Sequence, residues 1–240
     1  MSAMPVILGA AAGAAAGAAG TFAWAAMWPG AELFGRTLRH TGDAGTVALT
    51  FDDGPNPAVT TRLLDLLARH SARATFFLIG NHVRSFPALA REIRAAGHTI
   101  GNHTDTHPNL TFLSTHRIDR ELDLCDAAIT TALDCARPRW MRPPYGFRGP
   151  HLDRIVRHHG AAGIVMWSIT ARDWDPQPAA SVIERLRRVR GGDIVLLHDG
   201  DHKILKGDRM HSVAALEYWL PRWRDAGLRF VSVDDFPVVS

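Results

Sequence analysis

From Thr46 onward the chain alternates short β-branched or apolar runs with stretches whose apolar residues recur at helical spacing. Seven strands are predicted, over Val47–Phe51, Ala74–Ile79, His98–Ile100, Arg139–Arg142, Gly163–Ser168, Asp193–His198 and Leu228–Val233. Between them, Leu63, Leu64 and Leu67 mark one helical face, and Leu89 and Ile93 mark a second that Gly97 stops. Thr115–Thr131, His151–His159, Ser181–Val189 and His211–Ala226 complete the helical series. Regular alternation of this kind predicts a mostly parallel sheet in an α/β fold. No linker or internal repeat divides residues 46–240, so they are expected to form one domain.

The polar residues suited to chemistry come directly after the strands. Asp52 and Asp53 follow the first, His103 the third and Asp173 the fifth, while Arg142 ends the fourth and His198 the sixth. An open doubly wound sheet gathers ligands at a switch point served by few strands. A closed barrel brings every strand's C-terminal end to one face and can converge all of them. The expected fold is therefore a single distorted (β/α)7-type barrel.

Residues 1–31 read differently. No charged residue occurs before Glu32, and Ala and Gly dominate between Gly9 and Gly20, with Val6, Ile7, Leu8, Phe22, Trp24, Met27 and Trp28 at the ends. The length suffices for a membrane span, and Ala23-Trp24-Ala25 offers a small-x-small cleavage pattern. A membrane anchor, a signal segment and an Ala/Gly-rich leader all fit. Gly9, Gly13 and Gly17 stand at the spacing that lets membrane helices approach closely. Arg36 and Arg39 after the span would favour a cytoplasmic C-terminal side.

Composition narrows the class. With 46% hydrophobic and 21% charged residues in 240, the chain is an ordinary globular protein. The net charge of +3 comes almost wholly from arginine, since Lys203 and Lys206 are the only lysines, and acidic residues are interspersed. No nucleic-acid stripe is formed. Thirteen histidines raise the question of metal. Cys125 and Cys135 have no metal-ligand spacing and predict either a local disulfide or two free thiols.

Five segments carry candidate chemistry. In Thr50-Phe51-Asp52-Asp53-Gly54-Pro55, two adjacent carboxylates at a strand end point different ways, so one can bind a cation while the other accepts a proton. In His103-Thr104-Asp105-Thr106-His107, histidines at i and i+4 would share one side of a helical turn and hold one ion. Two histidines with one carboxylate leave positions open for water and substrate, which marks a catalytic site. In Arg142-Pro143-Pro144-Tyr145-Gly146, the prolines stiffen the strand exit, and an arginine beside Asp52 would keep it ionised. Asp173, followed by Trp174, would favour the protonated form of His198 at the end of the run Ile194-Val195-Leu196-Leu197, making His198 a candidate general acid.

Set in this order, TFDDGP, HTDTH, RPPYG, the ARDW stretch and IVLLHD resemble the five motifs of the polysaccharide deacetylase family (NodB-like, carbohydrate esterase family four), over about Thr46 to Val233. The resemblance implies a distorted barrel, one divalent metal (usually zinc, with cobalt, nickel, manganese or iron as substitutes) and hydrolysis of N-acetyl groups on an acetylated polysaccharide. It implies that Asp53, His103 and His107 bind the metal, that Asp52 is the base and that Arg142 tethers it. Tyr145 would donate its backbone N–H to the oxyanion, and His198, held by Asp173, would be the acid. Trp174 and Leu196 would line the acetyl pocket. Thr170 and Ala171 depart from the fourth motif, where an acidic and a hydroxyl residue often stand, and this bears on groove shape rather than on the reaction. An envelope substrate such as peptidoglycan, or a chitin-like oligomer, would place the domain outside the cell with retention at the membrane. An O-acetyl esterase on xylan or capsule and a catalytically silent glycan-binding barrel are the alternatives. A two-carboxylate glycoside hydrolase would leave the histidine pair without a role.

Overall fold

A computed structural model describes residues 17–236. The strands β1 (Thr37–Leu38), β2 (Thr46–Gly54), β3 (Thr75–Leu78), β4 (Thr99–Asn102), β5 (Trp140–Met141), β6 (Gly163–Val165), β7 (Ile169–Thr170), β8 (Ile194–His198) and β9 (Arg229–Val231) form one parallel sheet. Its order is β1-β6-β5-β4-β3-β2-β8-β7, with β9 paired to the start of β2. The sheet curls on itself. Residues 166–168 alone separate β6 near one end from β7 at the other, and the stretch after β1 reaches the start of β8 through an antiparallel His40–Asp193 bridge. This is the distorted (β/α)7 barrel that the alternation predicts.

All nine residues of β2 are buried, as expected for a strand covered on both faces. Side chains alternate. Val47, Leu49 and Phe51 pack outward with Leu63, Leu66, Leu67, Phe76, Val195 and Leu197 in the main core. Each such side chain, fully withdrawn from water, contributes roughly 1.5–3 kcal/mol. Ala48, Thr50 and Asp52 therefore face the barrel interior, and the smaller interior cluster holds Ala48, Phe77, Trp140, Val165 and Ile194.

The outer helices are α2 (Thr60–Arg69), α3 (Gly80–Ser85), α4 (Pro87–Ala95), α5 (Thr115–Leu133), α6 (Leu152–His158), α7 (Ala179–Leu186) and α8 (Met210–Asp225). All but α3, a six-residue turn of helix, are anticipated by periodicity. Pro87 opens α4, where its missing N–H costs nothing. Of the predicted strand over Gly163–Ser168 only Gly163–Val165 is strand; Met166 N–H still bonds back to Leu38, but Ser168 N–H turns to Ile194, and β7 begins beyond the predicted end, at Ile169. β1 escapes the sequence pattern, having only two residues.

The folded body also takes in residues upstream of position 46. Residues 17–27 are helical (α1), and Ala25, Ala26 and Ala31 are buried. Arg148, fully buried, pins this segment: its backbone N–H donates to the Ala26 carbonyl and its Nη2 to those of Trp28 and Ala31. Gly9 and Gly13 lie outside the described residues, and among those described no helix is long and apolar enough to cross a membrane. Cys125 and Cys135 are free thiols.

Candidate active site

The predicted residues converge on the C-terminal ends of the strands. Asp52 and His198 are register partners on β2 and β8. Arg142, fully buried just beyond β5, crosses the interior: its Nη1 donates to Asp52 Oδ1 at 2.8 Å and to Thr50 Oγ1 at 2.7 Å. Its Nε and Nη2 reach the carbonyls of Val165 and Met166 at 3.1 and 3.0 Å, and its guanidinium lies 4.3 Å from the centre of the Phe77 ring. Every side of the guanidinium is thus engaged, which fixes the Asp52 carboxylate it holds.

Asp53 turns the other way. Its backbone is left-handed (φ 70°), which swings its carboxylate away from that of Asp52 although the two are adjacent in sequence. Asp53 Oδ1 lies 3.4 Å from His103 Nε2 and 3.3 Å from His107 Nε2, is buried, and has no hydrogen-bond partner. Those distances are long for hydrogen bonds. They match the spacing of about 3.4 Å that two donors take when both bond one tetrahedral ion at about 2.1 Å. His103 Nδ1–H donates to the Arg142 carbonyl at 2.7 Å, which turns Nε2 towards Asp53. Burial lowers the His103 pKa, but the Asp52 and Asp53 carboxylates outweigh it and raise it, so a bound cation would take the place of the Nε2 proton. Burial, together with the neighbouring imidazoles, lowers His107 to about 3 against the opposing pull of Asp53, so its ring is in the neutral state a ligand needs. On donor chemistry and on the orphaned Asp53 oxygen, the set fits a divalent metal.

The histidine pair is not on a helical turn. Residues 103–107 form a loop in which Thr104 (φ 68°) and His107 (φ 58°) are left-handed. Asn102 Oδ1 accepts from Thr104 N–H, Thr104 Oγ1 from His107 N–H, and the Glu121 carboxylate on α5 from the N–H groups of Asp105 and Thr106. Side chains satisfying four backbone donors replace the helical hydrogen bonds, and they converge both rings on Asp53 by tertiary structure rather than by i, i+4 spacing.

On the opposite side, His198 Nδ1 donates to Asp173 Oδ1 at 2.9 Å while its backbone N–H donates to Oδ2 at 2.8 Å. Burial disfavours the His198 cation, but Asp173, with Asp53 and Asp52 behind it, outweighs this and raises the group to about 9. Ser212 on α8 also donates to Asp173 Oδ2, at 2.6 Å. This support has no signal in the motifs, since Ser212 lies 39 residues beyond Asp173.

Trp174 is 42% exposed, its ring set edge-on to His198 at 5.9 Å. Leu196, two residues before His198 and so on the same inner side of β8, is buried beneath it. Tyr145 is left-handed (φ 60°) and half-exposed, its ring edge-on to His107 at 4.6 Å. All ten predicted site residues are therefore in one region.

Two further residues enter it unannounced. Asp199, following His198, is fully buried, and burial pushes its carboxyl up to about 7 despite a hydrogen bond from Thr60. His202 stacks on His107 with ring centres 4.1 Å apart. Its Nδ1 lies 3.5 Å from Asp53 Oδ2 and its Nε2 3.2 Å from the Tyr145 hydroxyl. A polar residue in the loop Asp201–Gly207 gives no periodic signal, and only its place four residues past His198 hints at the site.

Residues 39–164 match the model of the polysaccharide deacetylase family. A chitooligosaccharide deacetylase of Sinorhizobium fredii is 38% identical over 80% of this chain and 92% of its own length. A peptidoglycan-N-acetylglucosamine deacetylase of Bacillus cereus is 35% identical over 79% of this chain and 86% of its own. Among solved structures, a peptidoglycan N-acetylglucosamine deacetylase in complex with a naphthalenyl N-oxidanyl-benzamide superposes with a TM-score of 0.77 at 30% identity, covering 85% of this chain and 94% of that one. Barrel, converged carboxylates and near full-length relatives agree: the chain belongs to the polysaccharide deacetylase family.

Proposed function

We propose that the protein is a metal-dependent hydrolase that removes N-acetyl groups from N-acetylglucosamine-type units of a polysaccharide, peptidoglycan or chitin-like, and releases acetate. The observation that carries the reading is the division of labour between adjacent carboxylates: Asp52 held by Arg142 at 2.8 Å, Asp53 facing His103 and His107. Asp53, His103 and His107 would hold the ion, zinc being the expected one and cobalt, nickel, manganese or iron fitting the same donors. When bound, it supplies Lewis acidity towards the acetyl carbonyl and lowers the pKa of a water.

The chain's own residues do the rest. Asp52, held in place by Arg142, takes the proton of the attacking water. The Tyr145 backbone N–H stabilises the developing oxyanion. Asp173 fixes the His198 tautomer, so that the protonated ring delivers a proton through Nε2 to the departing sugar nitrogen. An amide needs such an acid because an unprotonated amine is a very poor leaving group. Trp174 and Leu196 border the space left for the acetyl methyl.

Free acetate measured from N-acetylchitooligomers, peptidoglycan and O-acetyl xylan, with and without chelator, tests the reading. Chelator-sensitive acetate from an N-acetylated glycan supports it. Release from xylan alone makes the protein an esterase, and no release from any of them makes it a silent binding barrel.

The same reading places the barrel at the cell envelope, exported and retained by the N-terminal segment. The support is an uncharged stretch ahead of Glu32 and the exposure of Phe22, Trp24, Met27, Trp28 and Leu33 around α1. Aromatic residues in such a setting suit the membrane–water interface. Recovery of the full-length protein in the membrane fraction, lost on deletion of residues 1–20, which spares the residues docked on Arg148, is the expected result. Equal solubility of both forms would remove the anchor.

A further inference from the structure

His202 has the two-sided arrangement of a metal ligand. Three imidazole nitrogens surround the Asp53 carboxylate: His103 Nε2 lies 3.4 Å and His107 Nε2 3.3 Å from Oδ1, and His202 Nδ1 lies 3.5 Å from Oδ2. Asp53, His107 and His202 each present a donor atom within 4.8 Å of the others'. All three distances are too long for good hydrogen bonds; the two to Oδ1 have the spacing of donors on one ion at about 2.1 Å, and His202, on the Oδ2 side, meets the same ion where Asp53 binds it through both oxygens. The remaining nitrogen of His202 is engaged by the Tyr145 hydroxyl at 3.2 Å, as that of His103 is by the Arg142 carbonyl. A ring nitrogen anchored to an oxygen, with the other turned to the ion, is how metal-bound histidines are oriented.

The loop that carries His202 is built to hold it there. Gly200 passes so close to the Asp53 carbonyl that a Cβ would overlap it, so only glycine brings the loop in. Asp201 then accepts from the N–H groups of Lys203 and Ile204 and pairs with the buried Arg209 at 2.7 Å. Asn56 Nδ2 donates to the Gly207 carbonyl at 2.7 Å and ties the far end to the segment after Pro55.

We propose that His202 is a fourth protein ligand, completing an Asp53–His103–His107–His202 site. The proposal rests on the reading of the first three as metal ligands. Four protein donors leave room for water only on an ion that accepts five or six, so the site selects for higher coordination numbers than a closed tetrahedral zinc centre.

Cobalt(II) tests this without recourse to turnover, through its affinity by chelator competition and the visible absorption of the loaded protein. His202→Ala is expected to weaken cobalt binding at least ~10-fold, the loss seen even for partners one step removed from an ion, and to change the spectrum. Tyr145→Phe, which releases the His202 ring without removing a donor, is expected to move affinity the same way by less. Wild-type affinity and spectrum in His202→Ala, with cobalt lost from His103→Ala, would overturn the fourth ligand and leave the proposed function standing. Undiminished cobalt binding by His103→Ala as well would overturn both.

Discussion

Asp52 and His198 stand opposite each other on adjacent parallel strands, and each is locked by a buried counter-charge: Arg142 at 2.8 Å from Asp52, Asp173 at 2.9 Å from His198. The proposed base and acid are thus held on neighbouring rungs of one ladder, each by a group of opposite charge. For His198 the neighbouring carboxylates raise the pKa to about 9 against the effect of burial, so this side of the pair keeps its proton at neutral pH.

Asp52→Asn keeps the shape of the side chain and its contact with Arg142 but removes the proton acceptor. Turnover is expected to fall about 10²–10⁴-fold, the range for loss of general base catalysis, with metal content unchanged because Asp53, His103 and His107 are intact. Acetate release and metal analysis on the same preparation check it. Retention of most activity would remove Asp52 from the role.

Asp173→Asn tests the acid. A buried histidine with a carboxylate beside it is raised to about 9, as His198 is, whereas buried His98, which has Arg73 nearby instead, is lowered to about 4. The acid is active below its pKa and fails above it, so wild-type activity declines on the alkaline side. A cation held by Asp53 opposes the His198 charge and draws that decline below pH 9. Without the Asp173 charge the decline moves further down, to the ordinary histidine value or lower. At pH 7.5 a pKa of 6.5 leaves only about one ring in ten protonated, so a rate loss of at least ~10-fold is expected there, shrinking towards pH 5.5. An alkaline limb that does not move would exclude His198 as the acid.

Arg142→Met leaves Asp52 buried without its partner. Breaking a buried pair from one side costs about 3–5 kcal/mol, to be read as a lower midpoint in urea denaturation. The double variant Arg142→Met/Asp52→Asn is expected to recover part of that loss, since the uncompensated charge is gone. If single and double variants unfold alike, the stability lies in the contacts of Arg142 with Val165, Met166 and Phe77 rather than in the ion pair.

The barrel was legible because β2 and β8 are apolar runs ending in polar residues, and because the interior-facing Asp52 and His198 are themselves the proposed base and acid. What stayed hidden depends on contacts distant in sequence. β1 is two residues long and is a strand only because β6 accepts it. The HTDTH segment has the spacing of a helical turn, yet Asn102 and Glu121 bind its backbone N–H groups and make it a left-handed loop. Ser212 and His202 sit in segments whose pattern is that of a helix start and a polar loop, and only the folded chain brings them to Asp173 and Asp53. The docking of residues 25–31 on Arg148 was likewise invisible, because the leader's composition speaks of a membrane and says nothing of a buried arginine 120 residues away.

Gly54 lies where the proposed base Asp52, the proposed metal ligand Asp53 and Asp199 meet. A Cβ there would fall well inside van der Waals contact of the Asp199 carboxyl, which is fully buried and held by Thr60. Neither group can retreat: Asp199 N–H is bonded to the Asp52 carbonyl at 3.1 Å, and Gly54 pairs with Leu78 on β3. Gly54→Ala is therefore expected to cost about 1–3 kcal/mol as an overpacked interior does, visible as a lower thermal midpoint. It should also weaken metal binding, because Asp53 is displaced with its neighbour. Adding Asp199→Ala removes the obstructing carboxyl and should restore much of the stability. A Gly54→Ala protein as stable as the wild type would show that the segment has slack, and the close approach of Asp199 to Gly54 would then have no part in fixing the proposed ligand Asp53.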